Sequence, residues 1–412
     1  MVKIAIMGYG VVGSGVVEVM LKNKKSISHK AGEQIEISRI LDIREFSDSP
    51  MAGRFTSNFE DIINDPEIKI VVETIGGLNP AYDFVRRCLL AGKSVVTSNK
   101  ELVAAKGDEL LALARDRNLN FLFEASVGGG IPILRPLDQC LAANDVFEIA
   151  GILNGTTNFI LTKMIRDNIS FADALNLAQR LGYAERDPLA DIGGLDACRK
   201  ICILASLAFG KHVYPEQVHT QGIQDITLED VKYADIWGGV IKLIGRARKL
   251  EDGRLDCIVV PMILPHASRL AQVNDVFNGI LVRGDAIGDV VFYGQGAGKL
   301  PTASAVVADI IDEVKHLGAR KYLIWESGEP DYVADYLESK SAMMLRLKCD
   351  NSQAVKSKLD NMLGVCERVD IENSPSDELV LVTPLITQNR LDEVLKSLSD
   401  TSLISRIRIA DF

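Results

Sequence analysis

The chain reads as an α/β protein. A doubly wound parallel sheet is expected first, an α+β domain in the middle, and a small βαββαβ unit at the end. Three observations carry this reading. Short apolar runs alternate with amphipathic helical stretches over residues 1–134. The first apolar run passes straight into Gly8-Tyr9-Gly10-Val11-Val12-Gly13, a G-x-G-x-x-G turn between a strand and a helix. Residues 341–412 give the order strand, helix, strand, strand, helix, strand, which is ferredoxin-like.

The elements follow in order. Residues 2–7 are apolar after Lys3, as a parallel strand buried on both faces should be. Val16, Val17, Met20 and Leu21 mark one face of the helix after the glycine turn. Residues 35–41 form a second strand ending at Asp42; its distance from Gly13 exceeds the usual ~20 residues, so a loop is expected over 23–33. Residues 68–74 make a third strand closed by Gly76-Gly77, and 82–91 a helix stopped by Gly92. A strand at 94–97, a helix including 110–115 and a strand at 121–123 complete the first domain. From residue 135 to 299 the pattern is looser, with helices over 171–181 and 196–209 and strands at 147–153, 256–263 and 289–292. Gly294 to Gly298 lead into an apolar helix at 303–314, inside a stretch of about 300–318 placed to return to the first domain. Residues 319–340 are read as a linker, polar from Tyr322 onward, with Gly328 and Pro330. In the tail, strands are expected at 343–347, 366–371, 379–383 and 403–409, and helices at 353–363 and 391–398.

Composition narrows the function. With 412 residues, a net charge of −10, a pI near 5.2 and no basic block, the chain suits neither nucleic acid nor an anionic membrane surface. The longest nearly apolar run, 201–210, is too short to span a bilayer. The apolar start at 4–12 is broken by Gly8 and Gly10, unlike a signal core. Seven scattered cysteines without C-x-x-C suit free thiols in the cytoplasm, and the five histidines form no zinc-type cluster.

The motifs carry the chemistry. Glycines at 8, 10 and 13 let backbone N–H groups approach a pyrophosphate at a helix N-terminus, so Gly8, Gly10, Val11, Val12 and Gly13 are dinucleotide-binding candidates. Asp42 suits the ribose hydroxyls of NAD, and Arg44 the 2′-phosphate of NADP; both choices stand open. Thr97-Ser98-Asn99-Lys100 ends a sheet strand, where ligands bind in such folds. Glu124 precedes the glycine run 128–130, which could turn carbonyls toward a monovalent cation or serve as a hinge. Asn154-Gly155-Thr156-Thr157 offers small polar groups after a strand. The densest cluster is 178–200, AQRLGYAERDPLADIGGLDACRK. It sets Glu185, Asp191, Asp196 and Lys200 around turns made by Asp187-Pro188 and Gly193-Gly194. Asp196 and Lys200 share one helical face.

The pattern A-x3-G-Y-A-x2-D-P-x2-D-I-x-G-x-D-x3-K in that segment resembles the homoserine dehydrogenase signature, and the motif order over residues 1–320 resembles that family throughout, including G-Q-G-A-G-K-L-P-T-A-S-A-V-V-A-D at 294–309. The resemblance implies NAD(P)-linked interconversion of L-homoserine and L-aspartate 4-semialdehyde. By matching position it implies that Lys100 and Lys200 lie near the reacting oxygen, Lys200 moving the proton, with Asp191 beside them. Glu185 and Asp196 would hold the substrate amino group, and Tyr183, Gly155 and Thr156 would line the pocket. Thr74, Thr97, Ser98 and Lys100 would flank the nicotinamide. The Glu124 side chain and the carbonyls of Val127, Gly129 and Ile131 would bind Na+ or K+. A homodimer or homotetramer is implied, paired through the middle domain.

The tail resembles an ACT domain, a module that often binds amino acids for feedback control. It lacks the usual Asp-x-Pro-Gly turn, having Cys349-Asp350-Asn351-Ser352-Gln353 instead, so weak or no threonine binding is expected. Two other readings compete. One is a different amino-acid dehydrogenase on the same nucleotide domain, which leaves the 178–200 signature to chance. The other is a non-catalytic sensor of nucleotide and amino acid, which gives the two lysines and the carboxylate set no purpose.

Overall fold

The computed structural model describes residues 1–319, 323–372 and 374–412. Its first sheet is wholly parallel and has six strands in the spatial order Phe55–Thr56, Ile35–Leu41, Val2–Met7, Ile68–Glu73, Ser94–Thr97, Phe121–Leu122. The run Ile4 to Met7 is fully buried, as its uniform apolar composition requires of a strand covered on both faces. The chain reverses its winding between Val2–Met7 and Ile68–Glu73, so a crevice opens at the C-terminal ends of these strands.

Where a loop was expected over 23–33 there is a second helix, Lys24–Ala31, closed by Gly32 at φ +76. Its apolar signal is only Ile27 and Ala31, four apart and both buried, too sparse to stand out among lysines. Helix Lys299–Lys315 packs against helix Val11–Lys22 beside the first sheet. Ala303, Val306, Val307 and Ile310 join Val16, Val17 and Met20 of helix Val11–Lys22 in one core. Gly15 lets the two helices touch: a Cβ there would lie 2.9 Å from the Lys299 carbonyl oxygen.

The middle residues build a mixed sheet. Gly288–Gln295, Phe277–Gly284, Val146–Ile152, Gly239–Lys249 and Leu255–Pro265 pair antiparallel in that order. The tail does not stand apart from it. Its last strand, Thr401–Ile409, pairs parallel with Leu255–Pro265 through Met262/Arg408 and Ile263/Ile409. Beyond it follow Met343–Cys349, Glu378–Val382 and Glu367–Arg368, a ferredoxin-like strand order. Helices Ser352–Leu363 and Gln388–Lys396 cover that sheet, packing Leu359, Leu391 and Val394 on Leu345, Leu347 and Leu381.

The stretch read as a linker is packed rather than free. Trp325 is buried and donates to His212 Nδ1 at 2.9 Å, and Tyr332, Val333 and Ala334 are buried beside Leu255. The start of that stretch, 320–322, lies outside the described residues. Two connections join the first and middle domains, and they touch. Gly130 N–H donates to the Gln295 carbonyl at 3.0 Å, and a Cβ on Gly129 would fall 2.3 Å from the Gly296 carbonyl oxygen. Among the described residues no helix is long and apolar enough to cross a membrane.

Candidate active site

The nucleotide end is built by close backbone approach. Gly8 holds φ +94 under the Thr74 carbonyl, and a Cβ on Gly13 would lie 2.0 Å from the Gly8 carbonyl oxygen. Thr74 Oγ1 fixes the turn from the other side, donating to Gly8 O at 2.9 Å. No side chain caps helix Val11–Lys22 at Gly10, and nothing lies within 4 Å of a Cβ built there. Its first N–H groups and positive dipole end are therefore offered to an anion, which fits a pyrophosphate. Asp42 accepts the Tyr9 N–H at 2.7 Å and grips Arg44 through two bonds of 3.0 Å. The Arg44 guanidinium holds the Asp42 carboxyl down at about 2. The two residues weighed as rival cofactor readers are thus partners of each other, with Arg44 mostly exposed and resting on Phe46.

At the mouth of the crevice stands Glu73, wholly buried. It accepts the Thr97 hydroxyl at 2.5 Å and the Ile75 and Gly76 N–H groups at 2.7 and 3.1 Å. Burial pushes its carboxyl upward against those bonds. Asn99 caps helix Lys100–Asp116 and ties to the Gly77 carbonyl at 2.7 Å. Lys100 therefore starts that helix at a fixed place. Ser98 follows Thr97 in the same turn, its N–H donating to the Glu73 carbonyl at 3.3 Å.

Lys100 meets the middle domain there. Its Nζ is 3.1 Å from Asp196 Oδ1, and Lys200 Nζ is 2.8 Å from Asp196 Oδ2. Gly194 at φ +85 begins helix Leu195–Phe209, which puts Asp196 in the first turn and Lys200 one turn on. The Lys200 ammonium also donates to the Leu153 carbonyl at 2.8 Å. Asn154 closes the cluster, giving its amide hydrogens to Asp191 Oδ1 at 2.8 Å and Asp196 Oδ2 at 2.9 Å. Burial alone would raise the Asp196 carboxyl; Lys200 and Lys100 outweigh it and hold it well below the usual carboxylate range. Asp191 goes the other way, raised by burial and then by the Asp196 charge. Two carboxylates with opposite shifts beside two lysines are suited to keeping one proton poised.

Other expected residues lie around this cluster with looser ties. Gly155 starts helix Gly155–Asp167, and a Cβ there would meet the Val276 carbonyl at 2.6 Å. Thr156 Oγ1 donates to the Tyr183 carbonyl at 2.6 Å, and the exposed Tyr183 ring leans on Phe159. Glu185 is exposed; its backbone carbonyl accepts Gln179, and its carboxylate reaches outward.

The Glu124 carboxylate is buried and held by backbone N–H groups. It accepts the N–H groups of Ile133, Leu134 and Arg135 at 2.6, 2.8 and 2.8 Å, capping the turn that follows. The glycine loop curls tightly, since a Cβ on Gly128 would lie 2.3 Å from the Ile131 carbonyl oxygen.

The same two-part architecture recurs in known proteins. Residues 8–124 match the model of the homoserine dehydrogenase NAD-binding domain, and 132–311 that of homoserine dehydrogenase. A homoserine dehydrogenase of Pseudomonas aeruginosa is 37% identical, the alignment covering 99% of this chain and 98% of that one. The chain belongs to the homoserine dehydrogenase family. A homoserine dehydrogenase structure from Thiobacillus denitrificans superposes with a TM-score of 0.91 at 37% identity, covering 100% of this chain and 98% of that one. A hyperthermophilic archaeal homoserine dehydrogenase solved with NADPH gives 0.65 at 28% identity, covering 76% of this chain and 97% of that one. This chain is accordingly an oxidoreductase of the homoserine dehydrogenase type with an N-terminal NAD(P)-binding domain.

Three residues of the site have roles that the sequence reading did not assign, Asn154 having been read only as one of the small polar groups at 154–157. Asn154 bridges two acids lying 37 and 42 positions away in the chain. Leu153 contributes a carbonyl, and Glu73 braces Thr97. Besides the motif that holds Asn154, Glu73 had a visible signal, an acid ending an otherwise apolar strand.

Proposed function

We propose that Lys200 moves the proton while L-homoserine and L-aspartate 4-semialdehyde interconvert in the route to threonine, methionine and isoleucine. The single observation carrying this is the Asp196 carboxylate held between Lys100 of the first domain and Lys200 of the second. A bound nicotinamide supplies the hydride donor or acceptor. In the reducing direction Lys200 gives its proton to the aldehyde oxygen as the carbonyl carbon becomes an alcohol; in the oxidising direction it takes the hydroxyl proton back. Asp196 fixes the angle of the amine, and Lys100 offsets the negative charge building on the oxygen. Asp191 and Asn154 set the position of that carboxylate. Glu185 and Asp196 meet the substrate ammonium group, with Tyr183, Gly155 and Thr156 forming the wall. The test is reduced-nicotinamide absorbance with purified protein, L-homoserine, and NAD or NADP in separate reactions. A homoserine-dependent rise supports the reading; none with either nucleotide in folded protein ends it.

The finer assignments are proposals as well. Gly8 to Gly13 and Thr74 hold the pyrophosphate, and Thr97, Ser98 and Lys100 flank the nicotinamide. The NADPH of the archaeal relative favours a phosphate-bearing nucleotide, read by Arg44. A monovalent cation, Na+ or K+, is held by the Glu124 carboxylate and the carbonyls of Val127, Gly129 and Ile131 in the curled loop. Turnover in either salt that matches turnover in tetramethylammonium chloride would remove this site.

The tail is an ACT-like unit that takes threonine weakly or not at all. Asn351 caps helix Ser352–Leu363 in the place of the missing Pro-Gly turn, accepting the Ala354 N–H at 3.0 Å. Strong inhibition by millimolar threonine would refute this. Assembly as a homodimer or homotetramer uses the middle sheet, whose edge strand exposes Tyr293. Sedimentation of a monomer would refute it.

A further inference from the structure

Arg408 lies in the strand that joins the tail sheet to the middle sheet, and its side chain is buried, at 7% exposure. Among the described residues no carboxylate stands within ion-pair distance of it. Its bonds go to neutral acceptors: Ser339 Oγ at 3.0 Å, Ser341 Oγ and Gln388 Oε1 at 3.3 Å, and the Tyr336 carbonyl at 3.4 Å. Three of these are long for N–H···O bonds. The nearest acid, Asp256, is taken by Arg246 at 2.5 Å and by the Ser339 hydroxyl at 2.9 Å. A buried cation without a counter-ion is an unfavourable arrangement. Burial, with Arg246 nearby, lowers Arg408 to about 10.

The surroundings make the charge useful. Arg408 lines a small cleft of about 30 Å³ where the tail strands join the middle strands, together with Arg406, His219, Gln221, Gln388 and Tyr336. Arg406 is paired with Asp392, and His219 lies flat on Tyr336 with ring centroids 3.7 Å apart. Cleft walls therefore carry two guanidinium groups and amide donors, with no carboxylate among the lining residues. We propose that this seam is a binding site for a small oxyanion, a carboxylate or phosphate group seated on the Arg408 fork. The site lies outside the lysine–carboxylate cluster and stands or falls without the reaction assigned above.

The test is thermal unfolding of the full chain titrated with sodium acetate, glycine or inorganic phosphate, each against sodium chloride at the same ionic strength. A saturable rise in Tm beyond chloride is expected. A response to acetate or glycine assigns an organic carboxylate, and a response to phosphate alone assigns a phosphate group. Arg408→Gln should abolish the rise and should also increase the ligand-free Tm, because the unpaired charge is gone; a purely structural arginine would lower it. Arg406→Gln, at a less buried position, should weaken the half-saturating concentration at least fivefold and covers the case in which Arg408→Gln does not fold. Wild-type protein that follows chloride with every probe overturns the proposal, as does an Arg406→Gln or Arg408→Gln protein responding like wild type.

Discussion

Replacing Lys200 by methionine separates its chemical part from its structural one. The amine lies 2.8 Å from Asp196 Oδ2, so at an effective dielectric near 20 the lost attraction is about 6 kcal/mol before solvation is counted. Removing one partner of a buried pair typically costs about 3–5 kcal/mol in all. Asp196 keeps Lys100 at 3.1 Å and the Asn154 amide at 2.9 Å, which puts Lys200→Met near the lower end, about 3 kcal/mol. Turnover should fall about 10²–10⁴-fold, some 3–5 kcal/mol in the barrier. The second variant, Lys200→Met with Asp196→Asn, removes the orphaned carboxylate. Stability should return to within about 1 kcal/mol of wild type, as expected when both members of a buried pair become neutral, while turnover stays at the level of the single variant. The assays are urea unfolding and nicotinamide absorbance on the same preparations. Wild-type turnover in folded Lys200→Met would refute the proton-carrying role. Recovery of turnover in the double variant would show that the loss was one of packing.

Four other perturbations address separate parts of the molecule. Gly13→Ala must move the Gly8 carbonyl, 2.0 Å from the new Cβ, and should raise the nucleotide Kd at least tenfold by fluorescence titration. Unchanged binding would contradict the tight turn. Arg44→Gln frees Asp42 and removes the exposed guanidinium; it should shift the NADP-to-NAD ratio of kcat/KM about tenfold toward NAD, the worth of one charge-assisted hydrogen bond. An unaltered ratio would exclude Arg44 as a reader of the 2′-phosphate. Glu185→Ala should mainly raise KM for homoserine; an unchanged KM would count against its contact with the ammonium group. Glu313, buried against Asn120, is raised by burial from its ordinary 4.5 to about 7. The folded form then binds the extra proton between those values, so stability falls as pH rises through that window, by about 3 kcal/mol in full. Glu313→Gln should flatten that slope and be the more stable protein at pH 8; parallel urea curves for both proteins at pH 5 and 8 would disprove it.

The first domain could be read from the sequence because its strands are buried on both faces. Residues 4–7 are a uniform apolar run, and Val95-Val96 a short β-branched core, each close to turn signals that mark the strand without tertiary knowledge. Strand Gly239–Lys249 was missed for the opposite reason. It carries Lys242, Arg246 and Arg248, which look solvent-facing until folding brings Asn158 and Val273 to Lys242 and Asp256 to Arg246. The stretch before the tail looked like a linker by composition, yet Trp325 and Tyr332 find partners in His212 and Leu255 more than 70 positions away. In the site, Lys200 and Asp196 were visible together because helical spacing fixes them. Asn154 was not, since a cap residue and a carboxylate bridge look alike in a sequence. Glu124 shows a further limit: the glycine run beside it gave no sign of the three amides that its acid accepts, which the chain supplies nine to eleven residues later.

The paired crossings between the first and middle domains restrict how the active site can open. A single tether lets two bodies swing and twist about it. Here the strand-side connection near Gly129 and Gly130 is pinned to the returning one at Gln295 and Gly296, as two leaves of a door share a row of pins. Twisting would shear the bond from Gly130 to Gln295, whereas bending about the line through both would keep it. Lys100 and Lys200 sit on opposite leaves, with Asp196 as the latch. Any bending that keeps the Gly130–Gln295 bond would therefore have one principal axis, and its reversal would return both amines to the same carboxylate.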